Sequence, residues 1–212
     1  SVIAHGLAKA AVLLSSRYSW VVTNVPYLAR SKQTDRLRDF CDQYYEAGKT
    51  DLATVFLDRC QNFCSDGGSA STVIPQNWLF LKSYSSFRKR LLSKSLLNLV
   101  ARLGPKAFQT PMWDFNVQLI TVSRSENLEW EGENFGVVNS THSISGLDVS
   151  QARSASEKDT NLKSASFAKV EQGAQYNNPD HIIVLEEQHD SPPLSEISEA
   201  YQGLKSGDDG KM

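Results

Sequence analysis

The 212-residue sequence predicts an α/β fold in which helices pack on an open sheet. Short apolar, β-branched runs alternate with segments whose apolar residues recur at helical spacing. One helical segment lies between the first two such runs, as in a right-handed crossover between parallel strands. A hydrophobic content of 40% is enough for one substantial core.

The first predicted elements are a helix and the strand around which the chain is organised. A helix is predicted over residues 4–16, because Leu7, Ala11 and Leu14 fall on one face. The run WVVTNVPY, residues 20–27, predicts a strand that stops abruptly at Asn-Val-Pro-Tyr. In open α/β sheets, the carboxyl end of such a strand is where ligands bind.

The segments that make up this crossover between the first two strands are predicted next. The basic stretch 28–38 is predicted to be a loop that enters a short helix, and Thr50 and Asp51 supply N-cap chemistry for the following helix. Gly67 and Gly68 are expected to end that helix. Residues 70–75 should then form a strand parallel to the first.

The remaining predicted elements are a short helix and two more strands. The helix covers residues 84–92, and the strands cover 96–103 and 116–123. The sequence between these two strands, which contains AFQTPMWDF, is predicted to be a loop. From residue 125 the composition shifts to Ser, Glu, Asn and Gly, although a helix is possible over 155–173.

Charge is distributed unevenly along the chain. Residues 1–103 carry 14 Lys and Arg against 7 Asp and Glu, whereas residues 104–212 carry 8 against 17. The basic first part suits a polyanion such as DNA, and the acidic remainder suits a solvated or partner-facing unit. From the composition shift at Ser125 and the tail that begins at Gln188 and contains Pro192-Pro193, we expect three segments, residues 1–124, 125–187 and 188–212, with the last disordered.

The Asn-Val-Pro-Tyr turn offers groups suited to a flat ring that bears an amino group. The Asn24 side-chain oxygen and the Val25 carbonyl can both accept from one exocyclic NH2 group. Pro26 stiffens the turn, and Tyr27 offers an aromatic face for stacking. Adenine is the expected ligand, and the alternative is an ordinary strand-to-loop turn.

These four residues resemble the signature of the amino-methyltransferases. The pattern is Asn, Asp or Ser, then Pro or an aliphatic residue, then Pro, then Tyr or Phe; DNA N6-adenine enzymes usually have Pro where this chain has Val25. The run DLATVFLDRCQNFCSDGGSASTVIPQNWLFLKSYSSFRKRLL, residues 51–92, also resembles the large restriction and phage-defence N6-adenine methylases, the BREX-type, PglX-like enzymes.

The resemblance implies the later strands of a Rossmann-like class I methyltransferase sheet, followed by an irregular or helical C-terminal extension. Residues 1–124 would be the catalytic half, and 125–187 a linker toward a target-recognition region. The implied reaction transfers a methyl group from S-adenosylmethionine to a flipped adenine in double-stranded DNA, held by Asn24, Val25, Pro26 and Tyr27. Other subunits of a restriction or phage-defence system are possible partners.

Related methylases also place a second aromatic residue against the flipped base. The resemblance makes Phe108 the matching position in this chain, with Trp113 and Phe115 as rivals. The alternative is that Phe108 merely plugs the edge of the sheet.

Basic side chains near these segments are candidates for DNA phosphate contacts. The alternative is a solvated face. The candidates are Arg30, Lys32, Lys82, Arg88, Lys89 and Arg90.

A Gly-rich cofactor loop is not recognisable ahead of the first strand, where Gly6 stands alone. We therefore expect the isolated chain to be inactive; the alternative is a non-catalytic module that binds DNA or a partner. Cys60 and Cys64 are four residues apart but no His lies near them, and His142, His181 and His189 are scattered without ligand spacing, so no metal is expected. Without an apolar run of membrane-spanning length or a signal-peptide pattern, we expect a cytoplasmic protein.

Overall fold

A computed structural model describes residues 2–108, 115–124 and 141–185. The described residues form helices and strands that alternate along the chain. In chain order they are α1 (Val2–Ser15), β1 (Tyr18–Asn24), α2 (Asp35–Tyr44), α3 (Leu52–Phe63), β2 (Cys64–Pro75), α4 (Ser85–Lys94), β3 (Ser95–Gly104), β4 (Val117–Arg124), β5 (Ser143–Asp148), α5 (Ala155–Ser164), β6 (Ala168–Glu171) and α6 (Gln172–Asn177).

The six strands form one sheet in the order β1-β2-β4-β3-β5-β6. The pairs β1–β2 and β3–β5 are parallel, and β4 is antiparallel to both of its neighbours. Strands β1, β2, β3 and β5 therefore all end at the same edge of the sheet, which we call the carboxyl edge. The turn after β1 and the loop between β3 and β4 both lie at this edge.

The core lies mainly between one face of the sheet and helices α3 and α4. Its largest members include Trp78 and Phe87, whose rings meet edge to face with centroids 5.6 Å apart. Because α3 connects the parallel strands β1 and β2, its apolar side covers them, as predicted from its helical spacing. A second apolar cluster, centred on Leu103 and Leu147, covers the opposite face near the carboxyl edge.

The predicted strands and most predicted helices are confirmed. Asp51 caps α3 by accepting a hydrogen bond from the Ala53 amide at 2.8 Å. The parallel strand predicted over residues 70–75 is present, but it begins earlier, at Cys64. Helix α1 also forms, yet none of its residues is buried within the described structure.

The predicted role of the Gly pair was wrong. Helix α3 ends at Phe63, and Gly67 and Gly68 belong to an irregular start of β2. A Cβ at Gly68 would lie 2.9 Å from the Tyr18 carbonyl oxygen, so glycine allows the two strands to approach there. Gly67 adopts a φ of 69°.

The helix predicted over residues 155–173 ends at Ser164. The chain continues into β6, which pairs with β5, and β5 pairs with β3. The sheet thus extends beyond residue 124, where the sequence predicted a change from a catalytic half to an irregular or helical extension. Pairing with a distant strand, which local periodicity does not report, explains this difference.

Within the described ranges, no helix combines the length and apolar character required to cross a membrane.

Candidate active site

The candidate active site is the turn that follows β1 at the carboxyl edge. Asn24 is the last residue of β1 that pairs with β2, so the Val25 carbonyl lies just beyond the ladder. The Val25 side chain is only 5% exposed and packs into the main core, which anchors the turn. Asn24 and Pro26 are exposed, so the turn presents the Asn24 side chain at the surface.

Contacts of both the ring and the hydroxyl hold the Tyr27 side chain in place. Its ring packs against the two apolar clusters, and its hydroxyl lies 3.2 Å from Asn24 Oδ1 and 3.3 Å from the Val73 carbonyl oxygen. Burial, followed by the charge of Asp51, raises the pKa of Tyr27 to about 12. The Tyr27 hydroxyl therefore remains protonated at neutral pH.

Aromatic residues of the β3–β4 loop reach the same place. The Phe115 ring is tilted by 50° to the Tyr27 ring, with centroids 6.0 Å apart. Phe108 is 39% exposed and lies on the same loop, which begins after β3 at the carboxyl edge. Phe115 is thus the rival that contacts Tyr27, whereas Trp113 lies outside the described residues.

The segment after Tyr27 is tied to the start of α3. The Asp51 carboxylate accepts hydrogen bonds from the Leu28 amide at 3.3 Å and the Ala53 amide at 2.8 Å. Ala29 forms a bridge with Asp51, and the buried Gln33 side chain donates to the Leu28 carbonyl. One aspartate therefore fixes both the helix start and the loop that leaves the site.

Three of the predicted phosphate contacts lie near this edge. Arg30 forms an ion pair with Asp42 at 2.7 Å, while Lys32 and Lys82 are exposed. Thr50 links the two segments, because its carbonyl accepts from the Arg30 amide and its hydroxyl donates to the Ser83 carbonyl. Lys32 and Lys82 are therefore the members of this set that face solvent beside the candidate site.

Arg88 does not fit the predicted role, and this interpretation is corrected. Its side chain is 0% exposed and donates hydrogen bonds to the carbonyl oxygens of Trp78, Leu81 and Asp180. Burial also lowers the pKa of its guanidinium. Four of its five N–H groups donate inside the protein, so Arg88 holds the fold together and cannot reach DNA.

The other two basic residues of α4 have different surroundings. Arg90 forms an ion pair with Asp58, whose side chain is only 6% exposed. Together they line a cleft with Lys94, Ser95 and Arg124, which lies at the edge opposite Asn24. Lys89 is exposed.

The described residues contain no group of three or more His, Cys, Asp or Glu side chains that could hold a metal ion. The single adjacent pair of glycines, Gly67 and Gly68, lies in β2 away from the carboxyl edge. The described residues therefore bring together accepting groups suited to an amino-bearing ring, and they offer no phosphate- or cofactor-cradling glycine loop beside them.

Comparison with known proteins gives a family match for the first half of the chain. Residues 7–108 match the sequence profile of the Eco57I restriction-modification methylase. The chain is also 36% identical over 105 residues to the adenine-specific methyltransferase PglX of Lacticaseibacillus casei (strain Zhang). That alignment covers 50% of this chain and 9% of PglX, so the chain matches only a small part of this relative.

Two solved structures share the fold. The methyltransferase subunit of a type I restriction-modification system from Streptococcus thermophilus aligns with a TM-score of 0.55 and 15% identity, covering 79% of this chain and 37% of that one. DrdV in complex with DNA aligns with a TM-score of 0.56 and 15% identity, covering 77% and 18%. The sheet thus has the fold of these methyltransferase structures, which confirms the predicted fold class.

Proposed function

Residues 7–108 belong to an Eco57I restriction-modification methylase domain, and from this premise we propose that the chain is the target-base part of a site-specific DNA N6-adenine methyltransferase. The similarity to PglX supports adenine as the substrate base. The observation that carries the proposal is the placement of Asn24, the Val25 carbonyl and Tyr27 together at the carboxyl edge. The enzyme would act in restriction-modification or phage defence.

The target adenine must leave the duplex before it can enter this turn. Its exocyclic amino group would then donate one hydrogen bond to Asn24 Oδ1 and one to the Val25 carbonyl. Two acceptors on one amino group favour a tetrahedral nitrogen and direct its lone pair outward. The catalytic gain is positioning and electrostatic stabilisation, without a covalent enzyme intermediate.

The Tyr27 ring is the proposed stacking platform for the base. Its packing against two apolar clusters and against Phe115 fixes the plane of the ring before the substrate arrives. Stacking of a base on an aromatic side chain contributes ~1–3 kcal/mol. Phe108, exposed on the neighbouring loop, is the candidate for the opposite face of the base.

S-adenosylmethionine would supply the methyl group when bound. We infer that the groups that cradle it come from outside the described residues, because these lack a glycine loop at the carboxyl edge. The proposed task of this chain is therefore to hold and orient the amino group. We further propose that residues 1–124 contain the catalytic elements and that 125–187 lead toward a target-recognition region.

Double-stranded DNA is the proposed partner, as supported by the fold shared with DrdV in its DNA complex. Lys32 and Lys82 are proposed to contact phosphates beside the flipped base, because both are exposed near the carboxyl edge. Lys89 faces solvent on α4 and remains a weaker candidate. The match to a type I methyltransferase subunit supports assembly with other subunits.

The test is Asn24→Ala in the full-length methyltransferase. Single-turnover methylation should fall ~100-fold while DNA affinity stays nearly unchanged, because Asn24 acts mainly on the transition state. Asn62→Ala is the matched control, since Asn62 is an exposed asparagine at the cleft on the opposite edge. If the Asn24→Ala enzyme kept more than about a tenth of the rate, Asn24 would not orient the amino group.

A further inference from the structure

The Tyr27 hydroxyl lies between two oxygen atoms, and it cannot donate a full hydrogen bond to both at the same time. Its oxygen is 3.2 Å from Asn24 Oδ1 and 3.3 Å from the Val73 carbonyl oxygen. A phenol has one proton and therefore donates one full hydrogen bond. The Val73 carbonyl can only accept, whereas the Asn24 amide has an accepting oxygen and a donating nitrogen. Asn24 is therefore the partner that can either accept a hydrogen bond from the hydroxyl or donate one to it.

A half-turn of the Asn24 amide removes the competition. With the amide nitrogen toward Tyr27, the hydroxyl donates to Val73 and accepts from Asn24, so both of its contacts become proper hydrogen bonds. The Asn24 oxygen then points away from Tyr27. Because Asn24 is exposed at the end of β1, that oxygen becomes available to a ligand.

The hydroxyl is well placed to impose this orientation. Asn24 and Val73 are paired in the β1–β2 ladder, so the backbone that carries the Asn24 amide is fixed relative to the Val73 carbonyl. The Tyr27 ring packs against the core and against Phe115, which prevents the hydroxyl from swinging away. The Tyr27 hydroxyl and the Val73 carbonyl are thus held in place, and the Asn24 side-chain amide is the group that can rotate.

We propose that the Tyr27 hydroxyl is a positioning group that sets the polarity of the Asn24 amide, so that the site accepts a base amino group and rejects a ring carbonyl. In the opposite orientation the amide NH2 would meet the adenine NH2, and two donors cannot pair. This inference rests on the proposed function. It adds a role for the hydroxyl that stacking by the ring does not require.

The experiment compares two duplexes that differ only at the target base, which is adenine in one and hypoxanthine in the other. Hypoxanthine carries a carbonyl where adenine carries the amino group. The recognition sequence is first mapped by long-read sequencing of DNA methylated by the wild-type enzyme. Dissociation constants for both duplexes are then measured with the full-length wild type and with Tyr27→Phe, and the ratio of the two constants is compared.

Wild-type enzyme should prefer the adenine duplex, and Tyr27→Phe should reduce that preference about fivefold, the equivalent of one net neutral hydrogen bond. Affinity for the adenine duplex itself should change only about twofold, because the freed amide can still adopt the accepting orientation. Differences in base-pair strength cancel, since the same two duplexes are used with each protein. The phenylalanine ring keeps the packing and stacking surface of the tyrosine.

The control is the same substitution in an Asn24→Asp background. A carboxylate accepts on both oxygens, so its polarity needs no positioning group. Tyr27→Phe should therefore leave the preference of this variant unchanged, and this completes a double-mutant cycle. A merely structural role of the hydroxyl would lower both affinities and would do so in either background.

An equal preference in wild type and Tyr27→Phe would overturn the inference, as would a fivefold decrease that persists in the Asn24→Asp background. Methylation and adenine preference in the wild type would still stand in both cases, so the proposed function would survive. Wild-type enzyme that methylates no adenine in DNA would overturn the proposed function, and the inference with it.

Discussion

Two basic segments of this chain look alike in sequence and differ in structure. The first, residues 30–38, leaves the candidate site; the second is helix α4. In the first segment Lys32 and Arg36 are exposed beside the carboxyl edge. In α4, Arg88 is fully buried and Arg90 is paired with the buried Asp58.

The difference comes from what surrounds each segment. Helix α4 packs between the sheet and the turn around Asp180. Backbone carbonyl groups at the ends of other structural elements lie there and need hydrogen-bond donors. A guanidinium, with five N–H groups in a planar fork, meets several carbonyls at once. A basic segment therefore indicates DNA binding only if its Lys and Arg side chains are not already bonded to other groups inside the protein.

The largest expected effect concerns Arg88. Arg88→Ala should lower the free energy of unfolding by about 4 kcal/mol, because the buried Trp78 carbonyl would lose its donor at ~1–3 kcal/mol and the charged hydrogen bonds to the partly buried Leu81 and Asp180 carbonyls would be lost as well. Lys89→Ala, one residue away and exposed, should change it by less than about 0.5 kcal/mol. Urea denaturation of both variants measures the contrast. Equal and small effects would mean that Arg88 is free to bind DNA after all.

A smaller effect is expected at the ion pair of α4. Burial raises the pKa of Asp58, although Arg90 opposes this shift. Arg90→Ala should destabilise the fold by about 1–2 kcal/mol at pH 7, a value reduced by the partial exposure of Arg90.

The sign of the pH dependence follows from the raised pKa of Asp58. A protonated carboxyl needs no partner, so the stability of Arg90→Ala should approach that of wild type as the pH falls toward about 4, the ordinary range of aspartate. Thermal unfolding from pH 4 to pH 7 measures this trend, with Asp58→Asn as the control in which Arg90→Ala should cost little at any pH. A cost of Arg90→Ala that does not vary with pH would exclude the buried carboxylate as its origin.

The smallest expected change concerns the free energy of DNA binding. This prediction rests on the proposed function. Changing Lys32 to Gln should reduce the slope of log K against log salt by about one unit, because one phosphate would no longer be neutralised. Lys89→Gln should leave the slope nearly unchanged, because α4 runs away from the carboxyl edge. The opposite result would assign phosphate binding to α4 and reverse the comparison between the two segments.

Part of the candidate site could be predicted because its signal is local. The apolar run before Asn24 and the fixed φ of Pro26 together predict where β1 ends. Asp51 was predicted as an N-cap from its position before an amphipathic segment, and it is one. Its second role, holding the Leu28 amide, depends on a residue 23 positions away and has no local signal.

The sequence by itself determined the alternation of helices and strands, the end of β1 at Asn24 and the methylase family that residues 7–108 match. These features follow from spacing, propensity and motif, which act between neighbours in the chain. Only the tertiary structure decided that Arg88 is buried, that β5 and β6 extend the sheet and that the Tyr27 hydroxyl meets Asn24 and Val73. Each of these depends on contacts between distant residues, whose geometry exists only after the chain has folded.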